Sequence, residues 1–235
     1  ATGTINDDDP TPTLFITSAT VSEGDTATLL VSLSNPSSSN VTVEWATVNN
    51  TATQPSDYTQ VATTLITITA GSLSTPINIV TTEDAIQEPT ENFNAQLSNA
   101  TNATIQTAPD DHGVITISDD DLAPELFIAD AAAVTEGQTS LFTVSLNQLS
   151  GYDVTFTYQS VIGTATTPQD YTAVNRLGTI AAGQLSISVG VVTLDDIQDE
   201  TSPESFNVSL SGPTNATINY GSGMGTINDN DSQPL

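Results

Sequence analysis

The sequence contains no cysteine and no lysine, one arginine (Arg176) and one histidine (His112). Each absence excludes chemistry. Without Cys there is no disulfide, no thiolate nucleophile and no sulfur-ligated zinc. Without Lys there is no Schiff base, no phosphate-loop lysine and no Lys–Asn isopeptide staple. Against that single Arg stand 28 carboxylates, for a formal charge of −27. Such a chain has no cations with which to contact nucleic-acid phosphates or an anionic bilayer. A Ser-His-Asp arrangement could draw only on His112, so no enzyme is expected. No apolar run reaches the roughly 18 residues of a membrane helix, which excludes direct membrane insertion by that route. Aromatic residues are 5% of the chain, too few for an obvious sugar-gripping platform. No signal peptide opens the sequence, which reads as an excised mature segment.

What is present is alternation. A charge this extreme can mean disorder, but 37% of residues are hydrophobic and they recur at every second position. Val41, Val43 and Trp45 are spaced by two, as are Phe93, Ala95 and Leu97, and Val154, Phe156 and Tyr158. Period two is the strand pattern, and the abundance of Thr, Val and Ile suits pleated sheets. No 3.6-residue period is sustained. The fold class is all-β.

Self-comparison reveals a repeat whose matched segments mostly lie 112 or 113 residues apart. Val21-Ser22-Glu23-Gly24 recurs as Val134-Thr135-Glu136-Gly137, Asp57-Tyr58-Thr59 as Asp170-Tyr171-Thr172, and Glu91-Asn92-Phe93-Asn94 as Glu204-Ser205-Phe206-Asn207. Thr116-Ile117-Ser118-Asp119-Asp120-Asp121 matches Thr226-Ile227-Asn228-Asp229-Asn230-Asp231, and both match Thr4-Ile5-Asn6-Asp7-Asp8-Asp9. The expected organisation is the last strand and acidic tail of a preceding repeat at 1–9, domain one at 10–121, domain two at 122–231, and a linker or tail at 232–235. The parent protein then reads as a longer tandem array. Strands are predicted in domain one near 14–21, 27–34, 41–48, 64–69, 76–82, 92–98 and 113–118. About seven short strands with turn residues between them read as a two-sheet antiparallel sandwich of immunoglobulin-like type. Trp45 and its counterpart Tyr158 are expected in the core or on a sheet face. His112 is expected in a loop, and Arg176 just before a strand with a carboxylate near it.

Twenty of the 28 acidic residues fall at a few repeat-equivalent positions, mostly in turns or at strand ends. A solvated, halophile-style surface is the competing reading, but even spreading would suit it better. In a Greek-key sandwich alternate connections emerge at the same pole. Nine carboxylates meeting there repel one another and raise their own pKa values unless multivalent cations intervene. Ca²⁺ accepts 6–8 oxygens in forgiving geometry, so about three or four bridging ions per pole would balance the charge.

The Ser-Glu-Gly turn, the Asp-Tyr pair, the Asp-x-x-x-Glu-x-x-Glu-Asn-Phe segment and the Thr-Ile-x-Asp-Asp-Asp terminus resemble Calx-β domains. These are the calcium-binding modules of sodium–calcium exchangers, integrin β4 and many bacterial surface proteins. The resemblance implies Ca²⁺ clustered at one end of each sandwich. It implies ligation by Glu23, Asp57, Glu83, Asp84, Glu88, Glu91, Asp119, Asp120 and Asp121, with the Ile86 carbonyl. In domain two it implies Glu136, Asp170, Asp195, Asp196, Glu200, Glu204, Asp229 and Asp231, with the Gln198 carbonyl. Domain two departs from the pattern. Its acidic segment is one residue longer and Asn230 replaces an Asp, so fewer ions or weaker binding are expected there.

The reading that follows is a calcium-stiffened structural or adhesion segment. It is expected to be extracellular, secreted or on the cell surface, bacterial and compatible with a marine source. Its expected partners are calcium ions, neighbouring repeats of the same chain and an adhesion target of protein or glycan. A calcium-sensing tandem of a transporter and a non-catalytic accessory module of a secreted enzyme remain as alternatives.

Overall fold

A computed structural model describes residues 3, 9–109, 111–200 and 202–232 of the chain. The fragment expected at 1–9 lies outside the described residues apart from Gly3 and Asp9, as does the end of the expected tail, 233–235. Every regular element among the described residues is a strand. The chain divides into two compact units, one running up to Asp84 and over Pro89–Asp120, the other comprising Ala85–Glu88 and the chain from Asp121 onward.

The first unit contains β1 (Thr13–Ile16), β2 (Ala19–Ser22), β3 (Thr26–Leu33), β4 (Val41–Asn49), β5 (Thr64–Ile68), β6 (Ser74–Val80), β7 (Glu91–Thr101), β8 (Thr104–Ile105) and β9 (His112–Ser118). They form two sheets, ordered β6-β3-β1-β8 and β2-β9-β7-β4-β5. The period-two pattern is realised directly. Ala27, Leu29, Val31 and Leu33 of β3 and Val41, Val43 and Trp45 of β4 are buried, and the residues between them face outward. Trp45 and Tyr158 are both core residues.

The second unit repeats this with β10 (Glu125–Ile128), β11 (Val134–Thr135), β12 (Thr139–Leu146), β13 (Val154–Val161), β14 (Asn175–Ile180), β15 (Ser186–Val192), β16 (Glu204–Thr214), β17 (Thr217–Tyr220) and β18 (Ser222–Asn228). Its sheets are ordered β15-β12-β10-β17 and β11-β18-β16-β13-β14. Each unit is thus an all-β, immunoglobulin-like sandwich.

The expected single strand at 14–21 is in fact two strands in different sheets. The change occurs at Thr17–Ser18. Thr17 still exchanges hydrogen bonds with Leu30 of β3, its N–H donating at 3.1 Å and its Oγ1 accepting at 2.9 Å. Ser18 Oγ already accepts from the Val114 N–H of β9 at 3.0 Å. Beyond it β2 runs parallel to β9, while β1 is antiparallel to β3 and parallel to the short β8. Two hydroxyl side chains let the backbone cross without losing partners, and the alternation marks the crossing only by a one-residue slip, from Leu14 and Ile16 to Ala19 and Val21. Gly113 of β9 lies against it, where a Cβ would collide with the Thr17 carbonyl and Leu29.

Two smaller expectations change. His112 opens β9 rather than lying in a loop, and its Nδ1 is 2.7 Å from Asp111 Oδ1. Arg176 lies inside β14 opposite Tyr158, with no ion pair recorded among the described residues.

Candidate metal centre

The acidic residues are positioned by a backbone brace, two links of which recur in both units. The Glu23 N–H donates to the Ser118 carbonyl at the end of β9 (3.1 Å), and the Gly24 N–H donates to the Thr82 carbonyl (3.2 Å). The Thr82 N–H in turn donates to the Asp57 carbonyl at 2.9 Å. The Glu23 turn, the Asp57 turn, the Glu83–Asp84 pair and the end of β9 are thereby tied together. In the second unit the Glu136 N–H donates to the Asn228 carbonyl (3.1 Å) and the Leu194 N–H to the Asp170 carbonyl (2.9 Å).

The Asp-Tyr pair works through its tyrosine. Tyr58 is buried and stacked on Phe93, with ring centroids 3.7 Å apart and planes 5° from parallel. Tyr171 stacks on Phe206 at 4.6 Å and 24°. A ring locked in the core fixes the carboxylate beside it. Each Asp is further held by a threonine four residues earlier. Asp57 Oδ2 accepts from the Thr53 N–H, and Asp170 Oδ2 from the Thr166 N–H, both at 2.5 Å. These threonines were absent from the sequence reading. The repeated Thr-x-Pro-x-Asp spacing was the available clue.

Five groups of three side chains each offer carboxylate oxygens within 4.8 Å of one another. In the first repeat they are Glu23 with Asp84 and Asp121, Glu23 with Glu83 and Asp120, and Asp57 with Glu88 and Glu91. In the second they are Glu136 with Asp229 and Asp231, and Asp170 with Glu200 and Glu204. Glu23 and Glu136, the acidic residues of the Glu-Gly turns, are buried, and each anchors the groups it joins. Asp119, Asp195 and Asp196 enter none of these groups. Asp196 Oδ1 instead accepts from the Gln198 N–H at 2.7 Å, and Asp195 Oδ1 from Asn230 Nδ2 at 3.2 Å. Ile86 is partly buried and Gln198 exposed.

The donor set is all oxygen, as a hard cation requires. A cation with oxygens at about 2.3–2.6 Å spans oxygens up to about 5 Å apart, the separation these groups provide. Asp119 Oδ1, Asp121 Oδ2 and Asp231 Oδ2 are buried atoms without a hydrogen-bond partner, the kind of oxygen that a cation satisfies. The residues therefore fit Ca²⁺.

Crowding appears in the protonation equilibria of the second unit. Burial pushes the Glu204 carboxyl up to about 7, and repulsion from Asp170 and Glu200 adds to it. Glu200 is raised by burial and then by Asp170, Asp196, Asp229 and Asp231. Glu136 is also raised by burial, against the opposing hydrogen bond from the Asn230 N–H. Asp231 is raised by desolvation and then by Asp229 and its acidic neighbours. The stability consequence has a definite sign. Folded Glu204 holds a proton below about 7, whereas its ordinary value is 4.5. Between those values the folded state binds more protons, so this contribution is full below 4.5 and is lost as pH rises through 7. Metal-free protein is expected to melt higher at pH 5 than at pH 8, and Glu204→Gln to flatten the dependence. Equal melting of the wild type at both pH values, measured in EDTA, would refute the coupling.

Gly24 has φ +75°, and a Cβ there would meet the Glu83 carboxylate, with Glu83 Cβ itself 3.1 Å away. Its counterpart Gly137 has φ +78°, with Asp195 Cβ 2.9 Å from a Cβ. Gly24→Ala is expected to destabilise the first unit by about 1–3 kcal/mol and to displace Glu83, read by urea unfolding with and without Ca²⁺.

Two tandem immunoglobulin-like sandwiches, each with carboxylates from several turns drawn together by a shared brace, define a class of acidic all-β modules. The Calx-beta domain family matches residues 6–121 and 125–231, and the chain belongs to that family. Among solved structures it is similar to CBD12 from CALX1.2, at 15% identity over 91% of this chain and 99% of that one, with a TM-score of 0.43. It is also similar to the calcium binding domain CBD12 of CALX1.1, at 16% identity over 91% and 98%, TM-score 0.43. A third similar structure is the apo-form Calx CBD1 domain, at 19% identity over 48% and 100%, TM-score 0.43. No curated protein matches the chain.

Proposed function

We propose that both units bind Ca²⁺ through these acidic groups, and that the chain is a non-catalytic, calcium-stiffened structural segment of an extracellular protein. The observation that carries calcium binding is the shared placement of Glu23 and Glu136. Each is a buried carboxylate gathered with the closing Asp run of its own repeat. An ion held there restrains the chain where a module ends, at Asp119–Asp121 or Asp229–Asp231. The composition favours metal as the staple, since neither disulfide nor Lys–Asn isopeptide is available. Extracellular modules are filled at 10⁻⁴–10⁻³ M affinities, on the order of external calcium levels. The Thr-Ile-Asn-Asp-Asp-Asp run at residues 4–9 supports a repeated array. The adhesion target is of protein or glycan nature.

A second reading, a calcium-sensing regulatory tandem, is favoured by the pairing of two matched segments separated by only three residues. Affinity separates the two. Calorimetric titration of the full chain with CaCl₂, alongside Asp119→Asn and Asp120→Asn, should yield exchangeable ions that Asp120→Asn reduces. Dissociation constants near 10⁻⁴ M favour the structural role, and constants at or below 10⁻⁶ M favour the sensor. An absence of binding heat and of any chelator effect would overturn both.

A further inference from the structure

The two repeats treat the same pair of acidic positions differently. In the first, Glu83 and Asp84 each belong to a three-carboxylate group. In the second, no such group among the described residues includes Asp195 or Asp196. Both accept from neutral donors, Asp196 from the Gln198 N–H at 2.7 Å and Asp195 from Asn230 Nδ2 at 3.2 Å. Asn230 holds the repeat position of Asp120, which is grouped with Glu23 and Glu83. Its backbone N–H also donates to Glu136 Oε1 at 3.1 Å, so one residue joins the Glu-Gly turn to the acidic pair. Where the first repeat places three negative charges, the second places two and an amide donor.

We infer that Asn230 is an internal substitute for one calcium ion. Its amide gives Asp195 the positive partner that a cation gives the equivalent carboxylates of the first repeat. Its neutrality removes the charge that would draw a cation there. The second unit therefore carries one ion fewer than the first and keeps the Asp195 limb assembled without metal. This rests on the calcium reading above.

The test is ion counting by native mass spectrometry on the full chain in Ca²⁺, with melting curves in EDTA. Asn230→Asp is expected to bind one additional Ca²⁺ per chain and to melt lower than wild type in EDTA, because Asp195 exchanges a donor for a like charge. The mirror variant Asp120→Asn is expected to bind one ion fewer and to melt higher in EDTA. Circular dichroism checks that each variant is folded. If Asn230→Asp does not fold even in Ca²⁺, the Asp120→Asn count decides alone. Counts unchanged in the folded variants, with wild type binding calcium, overturn this inference and leave the calcium reading standing. A wild type that binds no calcium overturns both.

Discussion

Chelation of the calcium-loaded chain is expected to lower its melting temperature by about 20 °C. The size follows from linkage. A ligand that binds only the folded state at a hundred times its dissociation constant adds about 2.7 kcal/mol. Two such ions in a unit add about 5 kcal/mol, which at about 4 °C per kcal/mol for a sandwich of roughly 110 residues is a shift of that size. The same carboxylates act in the opposite sense without metal. Glu204 at about 7, and Glu200, Glu136 and Asp231 all raised, record a folded state that resists full ionisation. Chelation therefore removes a favourable contribution and exposes an unfavourable one. Differential scanning calorimetry in Ca²⁺ and then in excess EDTA reads the difference. The loss should be smaller at pH 5, where protonation relieves part of the repulsion. A melting temperature indifferent to EDTA at pH 8 would leave the acidic groups as surface charge.

The second large effect is expected from the core. Phe93→Ala should cost about 3–5 kcal/mol by urea unfolding, the range for a buried aromatic removed from a packed interior. Phe93 is fully buried and stacked face to face on Tyr58, the neighbour of Asp57, and it lies two residues from Glu91. Its removal loosens two of the carboxylates in one group. The variant should consequently lose ions of the first unit while those of the second remain. Phe206→Ala should do the converse, since Phe206 is held by Tyr171 at 4.6 Å and by the edge of Phe142 at 5.9 Å. If calcium binding of the first unit survives Phe93→Ala unchanged in a folded protein, the proposed coupling between core stack and acidic group is wrong.

Much of the fold was legible because its determinants are local. Strict alternation through 27–33 and 41–45 announces half-buried strands, and the ordered repeat announces two of everything. The residues that resemble Calx-β domains lie in the same stretches that the family match covers. The crossing at Thr17–Ser18 leaves only a one-residue slip of phase in the sequence, from Leu14 and Ile16 to Ala19 and Val21, and the hydroxyl partners reveal that the slip is a change of sheet. The same holds for the acidic groups. Sequence position marks which carboxylates are equivalent between repeats, but not which share a volume. That Glu23 meets both Glu83 with Asp120 and Asp84 with Asp121 depends on the brace through Ser118 and Thr82. Asn230 was visible as a departure from the Asp run. Its hydrogen bond to Asp195 was not, because the partners are 35 residues apart.

The most direct test of calcium ligation is an anomalous difference map from crystals grown in millimolar CaCl₂. The account predicts metal peaks in both units, with Glu23 oxygens bridging in the first and Glu136, Asp229 and Asp231 enclosing one in the second. A map with no peak above water level among these carboxylates, from a protein folded as described, would contradict it.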